Sequence, residues 1–498
     1  MKKYLVVSEV SQKQKYIFKT DRLIENVGAS LIIRKVTEEI PVEYSNTEEF
    51  VFAGGGKSVY EFDSLERAQE FISRLSRFVL EQYPGLELFL ALHDYDDEAD
   101  SVMDAINVLY GKLEAKKSAR RHSFRLFGLG ITENCADTAM PASSVVSVGE
   151  RRIRVSAEAA VKIETGRNEQ DQLLKELLPD ENGYLFAREF EDLGGNRGVK
   201  NYIAVIVIDG NKMGKKIEKF RNTFMKENSD IGLETNRKYK YELRALSDEI
   251  DHAYKTAIKN AVNTVTAKLE DLHAQGTTSC CYDNQGRLIL PIRPLIVAGD
   301  DICIVTDARI GVGLAELILK NIEENTILGL PMRACAGVAI VKTGYPFFRA
   351  HELAEELCHN AKSVLKADED RDASLIDFHT DQGELAGSLS TIRRELYGKG
   401  TLTNKPYFLK AVDAPQNSQS KSMEAFRERI KKLSGKEFGR GAIKQYRDAL
   451  AEGETSAEKY LSDKRLLDTL GHSFENGHCI DFDVIEMMDI YNELEVTS

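Results

Sequence analysis

What the sequence lacks narrows it first. Its seven cysteines (Cys135, Cys280, Cys281, Cys303, Cys335, Cys358 and Cys479) include no CxxC pair. An odd, scattered set of thiols suits a reducing compartment, and a structural zinc site, which takes four ligands, is not expected around the lone Cys135. No apolar run approaches the roughly 18 residues of a membrane span. The opening MKKYLVVSEV passes from charge straight into a strand pattern, without the apolar core and cleavage site of a signal peptide. These absences predict a cytoplasmic protein with no membrane partner. Positive charge is also in deficit, with 67 Lys and Arg against 80 Asp and Glu and a formal net charge of −13. That balance disfavours a broad nucleic-acid surface and leaves a nucleoside triphosphate with Mg²⁺ as an easy ligand.

What is present centres on PLIVAGDDICIVTD, residues 294–307. Apolar, β-branched runs at 295–297 and 302–305 flank Gly299, Asp300 and Asp301, which reads as a hairpin. Adjacent carboxylates beside a buried sheet resist ionising unless a cation lies between them. Mg²⁺ (or Mn²⁺) fits, because it takes hard oxygen ligands and shares them with phosphates. Upstream, residues 203–208 form a continuous apolar run suited to a strand buried on both faces. The run ends in Asp209 and turns through Gly210-Asn211-Lys212-Met213-Gly214 into a helix. A strand-end carboxylate beside such a turn offers a metal ligand, with Gly210 and Asn211 supplying backbone N–H groups for phosphate. Asp209, Asp300 and Asp301 are thus the expected catalytic and metal-ligating residues of a two-metal phosphoryl-transfer site.

The 498 residues have room for two to four domains, and they contain a repeat. VFAGGGKSVY and IVAGDDICIV match position for position, setting Ala53 on Ala298, Gly54 on Gly299, Gly55 on Asp300 and Gly56 on Asp301. Residues 4–10 likewise parallel 202–208, so two copies of one domain are expected. The first copy has no metal ligand at its turn and is expected to bind nucleotide without catalysis, through Gly54, Gly55, Gly56 and Ser58. Lys57 is there either a phosphate contact or an ordinary exposed lysine. The expected domains are a first copy at 1–125, a linking module at 126–200, a catalytic second copy at 201–382 and a helical module at 383–498. Arg393, Arg394, Lys405 and Tyr407 lie near the start of that last module, with no role legible from spacing. Residues 215–275 read as a long helical insertion and 277–286 as a loop. A strand at 332–342 leads to a helix at 347–366, where Lys362 borders the buried stripe and can either snorkel to a phosphate or face solvent. His93-Asp94 has the form of a phosphohydrolase dipeptide, but no further ligands are suitably spaced around it.

AGDD on a hairpin, DGNKMG after a buried strand, GVAIVKTGYPFFRAHELAEELCHNAK and SLIDFH together resemble the large, polymerase-like subunit of type III CRISPR effector complexes. The similarity runs over nearly the whole chain from residue 4. It implies an α+β architecture: two ferredoxin-like palm domains, related to those of nucleotidyl cyclases and GGDEF enzymes, and a helical C-terminal domain. It implies ATP as the substrate, bound as two molecules between the palms, and cyclic oligoadenylate, an antiviral second messenger, as the product. By motif match, Asp209, Asp300 and Asp301 become the metal ligands, Gly299 a close-approach backbone position and Lys362 a phosphate contact. CRISPR effector subunits and guide or target RNA become the implied partners. The sequence departs from the family in having Ala298 in the GGDD turn, Asn211 in the DGD-type turn, and a single Cys135 for a cysteine-rich module. It is also expected to lack the N-terminal HD nuclease domain. A stand-alone cyclic dinucleotide synthase, a template-dependent polymerase and an inactive nucleotide-binding scaffold subunit stay open beside this reading.

Overall fold

In a computed structural model the described residues are all except 55, 120–129, 136, 149–150, 169–171, 181, 194–200, 229, 275–277, 279–280, 367–370, 382–386, 399–400, 436–437 and 495–498. Cys280 and Gly55 therefore lie outside the described residues. The chain is of mixed α+β type and divides into two compact units. One comprises Met1–Leu173, Lys212–Tyr254 and Leu295–Asp300; the other comprises Leu174–Asn211, Lys255–Pro294 and Asp301–Ser498. These cuts fall at other places than 125/126, 200/201 and 382/383.

The first unit is built on β1 (Lys2–Ser11), α1 (Leu23–Arg34), β2 (Phe50–Gly54), β3 (Lys57–Phe62), α2 (Leu65–Gln82), β4 (Glu87–Asp96) and α3 (Val102–Ser118). The strands form one antiparallel sheet in the order β2-β3-β1-β4. Leu5, Val6 and Val7 of β1 are wholly buried, so this central strand reads as a run rather than an alternation. Tyr60 and Phe62, two apart on one face of β3, meet Phe71 of α2 with ring centroids 4.7 and 5.2 Å away. Ser64 caps α2 by accepting from the Arg67 N–H, and Ala68, Phe71, Leu75 and Val79 make its buried stripe.

A hairpin of β5 (Ser144–Val148) and β6 (Arg151–Val155) leads into α4 (Ala157–Asn168), which packs on α1. The two helices cross closely enough that a Cβ at Gly28 would lie 1.8 Å from the Lys162 carbonyl oxygen. Cys135 sits there among Ile24, Val155, Ala159 and Ile163 as a small core residue.

The helical insertion consists of α5 (Met213–Glu227) and α6 (Leu233–Ala274). The sequence does not disclose where α6 docks; within the first unit its opening turns fasten onto the sheet. Asn236 accepts from the Val102 N–H at 2.9 Å and so caps α3. Lys240 pairs with Glu61 at 2.7 Å, and Ser247 donates to the Ala53 carbonyl at 2.5 Å.

The second unit contains β7 (Tyr202–Gly210), β8 (Ile292–Ala298, in part), β9 (Asp301–Asp307), α7 (Ala308–Glu323), β10 (Ala334–Lys342), α8 (Phe347–Lys366), β11 (Leu375–Thr380) and β12 (Tyr407–Phe408). The sheet order is β8-β9-β7-β10-β11-β12. Its first four members repeat the order of the first sheet: second, third, first, fourth. β10 and β11 run parallel, whereas β7 is antiparallel to both its neighbours.

Two expectations need correction here. The stretch 277–286, read as a loop, contributes the short strand Cys281–Tyr282, which pairs with Leu288–Leu290. The C-terminal segment is not a purely helical appendage, because β12 adds a strand to the second sheet opposite Leu375 and Ile376. Its early basic residues hold it in place. Arg393 pairs with Asp377, and Lys405 Nζ lies 3.1 Å from Asp483, with both side chains of the latter pair buried. Among the described residues no helix is long and apolar enough to cross a membrane.

Candidate functional site

β7 carries the site because its sequence forces it to the middle of the sheet. Ile203, Ala204, Val205, Ile206, Val207 and Ile208 are all buried, so the first residue free to be polar is Asp209, whose side chain is 48% exposed. The pairing register sets Asp301, first residue of β9, directly opposite Asp209. Like charges facing each other across an antiparallel pair repel at a Cβ separation of roughly 5 Å. Asp209 is answered from within the chain. Lys362 Nζ of α8 lies 2.5 Å from Asp209 Oδ2 and donates to the Gly210 carbonyl at 2.9 Å.

Helix α8 comes this close to the sheet through a glycine. A Cβ at Gly337 of β10 would lie 2.1 Å from the Ala354 carbonyl oxygen and 2.3 Å from the Cys358 nitrogen. The thiols beneath the site are no thiolate ligands. Burial pushes Cys335 up to about 12, and Cys303 and Cys358 well above their ordinary range.

Asp300 is the second residue of the two-residue turn Gly299-Asp300 between β8 and β9. Gly299 has φ +60, and a Cβ there would meet nothing within 4 Å. The left-handed turn therefore accounts for this glycine, and the space above it is open. Asn211 departs from its expected role in phosphate binding. It is 3% exposed, its backbone N–H donates to the Arg333 carbonyl at 2.8 Å and its Nδ2 to the Ala373 carbonyl at 2.8 Å. A buried amide needs such partners, so the side chain tethers the turn inward.

Among the described residues no three His, Cys, Asp or Glu side chains converge as a ligand set. Asp209 and Asp301 are brought together, and Asp300 is their chain neighbour at the turn. That donor set still fits a hard cation of the Mg²⁺ kind, which takes one or two carboxylates and completes its shell with water and phosphate oxygens. His93 and Asp94 form no such set: His93 Nδ1 lies 3.0 Å from Lys112 Nζ, and Asp94 pairs with Lys2.

The first sheet corrects the register of the repeat. β2 ends at Gly54 and β3 begins at Lys57, whereas β8 ends at Ala298 and β9 begins at Asp301. Turn laid on turn, Lys57 falls on Asp301, one residue from the match suggested by sequence. Glu9 is the cross-strand partner of Lys57, so it takes the place of Asp209. Strand ends and pairing set this register, and residue likeness within a glycine-rich turn does not. Ser58, expected to touch a ligand, is fully buried with its Oγ 3.1 Å from that of Ser8. Gly54 lies under α6, where an added Cβ would stand 2.9 Å from Ser247 Oγ. Gly56 has φ +75.

No protein-family model matches the chain, and no curated protein matches its sequence. Among solved structures it is similar to a Csm1–Csm4 cassette in complex with cA4, at TM-score 0.54 and 12% identity over 99% of this chain and 70% of that one. A cassette in complex with cA3 gives TM-score 0.53 and 14% identity, and one with AMPPNP gives 0.52 and 13%, each over 98% of this chain and 70% of the other. Identities this low speak for the fold alone. In fold, the structural neighbours are Csm1 subunits of type III-A CRISPR-Csm complexes, the subunit type that the motifs resemble.

Proposed function

We propose that the chain is a nucleotidyltransferase that converts ATP into cyclic oligoadenylate in a CRISPR-type defence, alongside effector subunits and guide or target RNA. Each four-stranded order, second-third-first-fourth, is read as a ferredoxin-like palm, the first non-catalytic and the second catalytic. The observation that carries the reading is the opposed pair Asp209 and Asp301 at the open end of a central strand. Its setting supports it, a fold shared with Csm1 proteins solved with cA4, cA3 and AMPPNP.

Asp209 and Asp301 would hold Mg²⁺ (or Mn²⁺), with Asp300 as the third carboxylate within reach of the turn. Bound there, the cation supplies charge neutralisation on a triphosphate and acidifies an attacking hydroxyl. Lys362 has three donors, two of them directed at Asp209 and Gly210, and it remains placed to donate to a phosphate oxygen. The open space over Gly299 leaves the turn's backbone accessible to a substrate.

The test is chromatography of products from ATP and Mg²⁺, with and without target RNA and companion subunits. Loss of cyclic product in Asp209→Asn and in Asp301→Asn, with unchanged melting, supports the assignment; undiminished synthesis overturns it. The same chromatogram separates a cyclic dinucleotide from larger rings. A second reading, a nucleotide-binding scaffold, draws on the fact that Lys362 already neutralises Asp209. ATP binding without turnover in every condition selects it.

A further inference from the structure

The two sheets differ at one cross-strand position, and that position sets their charge. In both, the carboxylate near the end of the first strand receives a lysine from the helix after the fourth strand. Lys117 of α3 lies 3.0 Å from Glu9 Oε1, and Lys362 of α8 lies 2.5 Å from Asp209 Oδ2. Across the strand pair the likeness ends. Asp209 faces Asp301, whereas Glu9 faces Lys57, whose Nζ is 3.5 Å from Glu9 Oε2 and 5.1 Å over the Tyr110 ring. In the second sheet two carboxylates thus face each other, with Lys362 on Asp209, and in the first a carboxylate faces an ammonium, with Lys117 as a second cation on Glu9. Lys117 also reaches Glu114, at 2.9 Å on the exposed side.

We infer that Lys57 does in the first sheet what a divalent cation would do in the second. Its ammonium neutralises the strand-end carboxylate from within the chain, so the first sheet is closed to divalent cations and needs none. The side chains of Glu9, Lys57 and Lys117 are 12%, 31% and 21% exposed, so water screens this cluster only in part. A divalent ion approaching Glu9 would have to displace one ammonium and then stand against the other. A cation-free first copy beside a cation-dependent second follows from one residue at the start of β3. The comparison with a cation rests on the metal reading of Asp209 and Asp301; the Glu9 cluster itself does not.

The experiment counts bound Mn²⁺ by electron paramagnetic resonance on the full-length chain. Lys57→Asp sets a carboxylate opposite Glu9, as Asp301 stands opposite Asp209, with Lys117 left in place, and one additional Mn²⁺ per chain is expected. Lys57→Asn, which removes the ammonium without adding a charge, is the second variant, and its Mn²⁺ binding is expected to exceed wild type by a weaker site. An unchanged Mn²⁺ count in the folded variants overturns the inference. Asp301→Asn on the otherwise native chain reads the second sheet separately. If it leaves the count unchanged, the proposed metal site fails, while a gain at Glu9 still stands.

Discussion

The same strand order is built twice in this chain, and the two versions use it to different ends. Each delivers a carboxylate at the end of its first strand and a lysine from the helix after its fourth. The residue across the strand pair is Lys57 in one and Asp301 in the other, and on the proposed reading the lysine closes the pair whereas the aspartate serves a cation. The scaffold supplies the geometry, and a single side chain supplies the chemistry. The most direct way to break this contrast is Asp301→Lys, which writes the first sheet's arrangement into the second. Cyclic product is expected to fall by at least about 10²-fold, the scale of losing electrostatic stabilisation of a transition state. Stability should move by less than about 1 kcal/mol, because the position is part-exposed. Product chromatography with a thermal melt checks both.

Much of the fold was legible because local rules decided it. The run 203–208 is a buried central strand, Gly299-Asp300 is the turn between β8 and β9, and the helix expected at 347–366 spans Phe347–Lys366. What escaped depends on which segments meet. Nothing near Lys57 announces Glu9 as its partner 48 residues away, since only strand pairing brings them together. Likeness of Ala53-Gly54 to Ala298-Gly299 was misleading by one residue, because a glycine-rich turn aligns equally well in more than one register. Asn211, a polar residue after a strand, looked like a phosphate contact; the signal against it was burial, which a single sequence does not carry. The docking of α6 through Asn236, Lys240 and Ser247 was likewise invisible, since helical spacing marks an insertion at 215–275 without naming the surface it meets.

The units also differ in how they hold a buried lysine. Lys405 and Asp483 are 1% and 0% exposed, with the Tyr397 ring centroid 4.7 Å from the ammonium. Lys405→Met takes the paired ammonium from Asp483 and leaves it the neutral donors Thr403 Oγ1, the Asn404 N–H and the Tyr407 hydroxyl, at an expected cost of about 3 kcal/mol in urea unfolding. In the first unit Lys162 is equally buried beside Glu158, but Glu158 keeps a second ammonium, that of Lys19, at 2.7 Å. Lys162→Met should therefore cost clearly less, and equal losses would remove the distinction.

Acid should separate the units further. Burial holds His351 and His379 down at about 3, with Lys405 and Arg393 adding to the effect at His379. Both are neutral in the fold, whereas the unfolded chain takes up protons below about pH 6.5. Their contribution is complete above that pH and is lost as pH falls from about 6.5 towards 3. At pH 5 each histidine accounts for about 2 kcal/mol of lost stability. Urea unfolding of His351→Leu at pH 7 and pH 5 should show the difference between the two pH values reduced by about that amount.

The smallest effect compares the two turns. Gly56 and Gly299 both have positive φ, +75 and +60, so alanine at either is expected to cost about 1–2 kcal/mol for the left-handed backbone alone. Their surroundings differ. An added Cβ at Gly56 meets the end of the flexible Lys13 side chain, which can swing aside, and one at Gly299 meets nothing within 4 Å. The methyl of Gly299→Ala would then project into that open space, where the proposed reading has the substrate approach. Matched losses in urea unfolding, with a larger fall in product for Gly299→Ala, would mark that space as the substrate's. A product yield that merely follows stability in both variants would leave Gly299 with a backbone role alone.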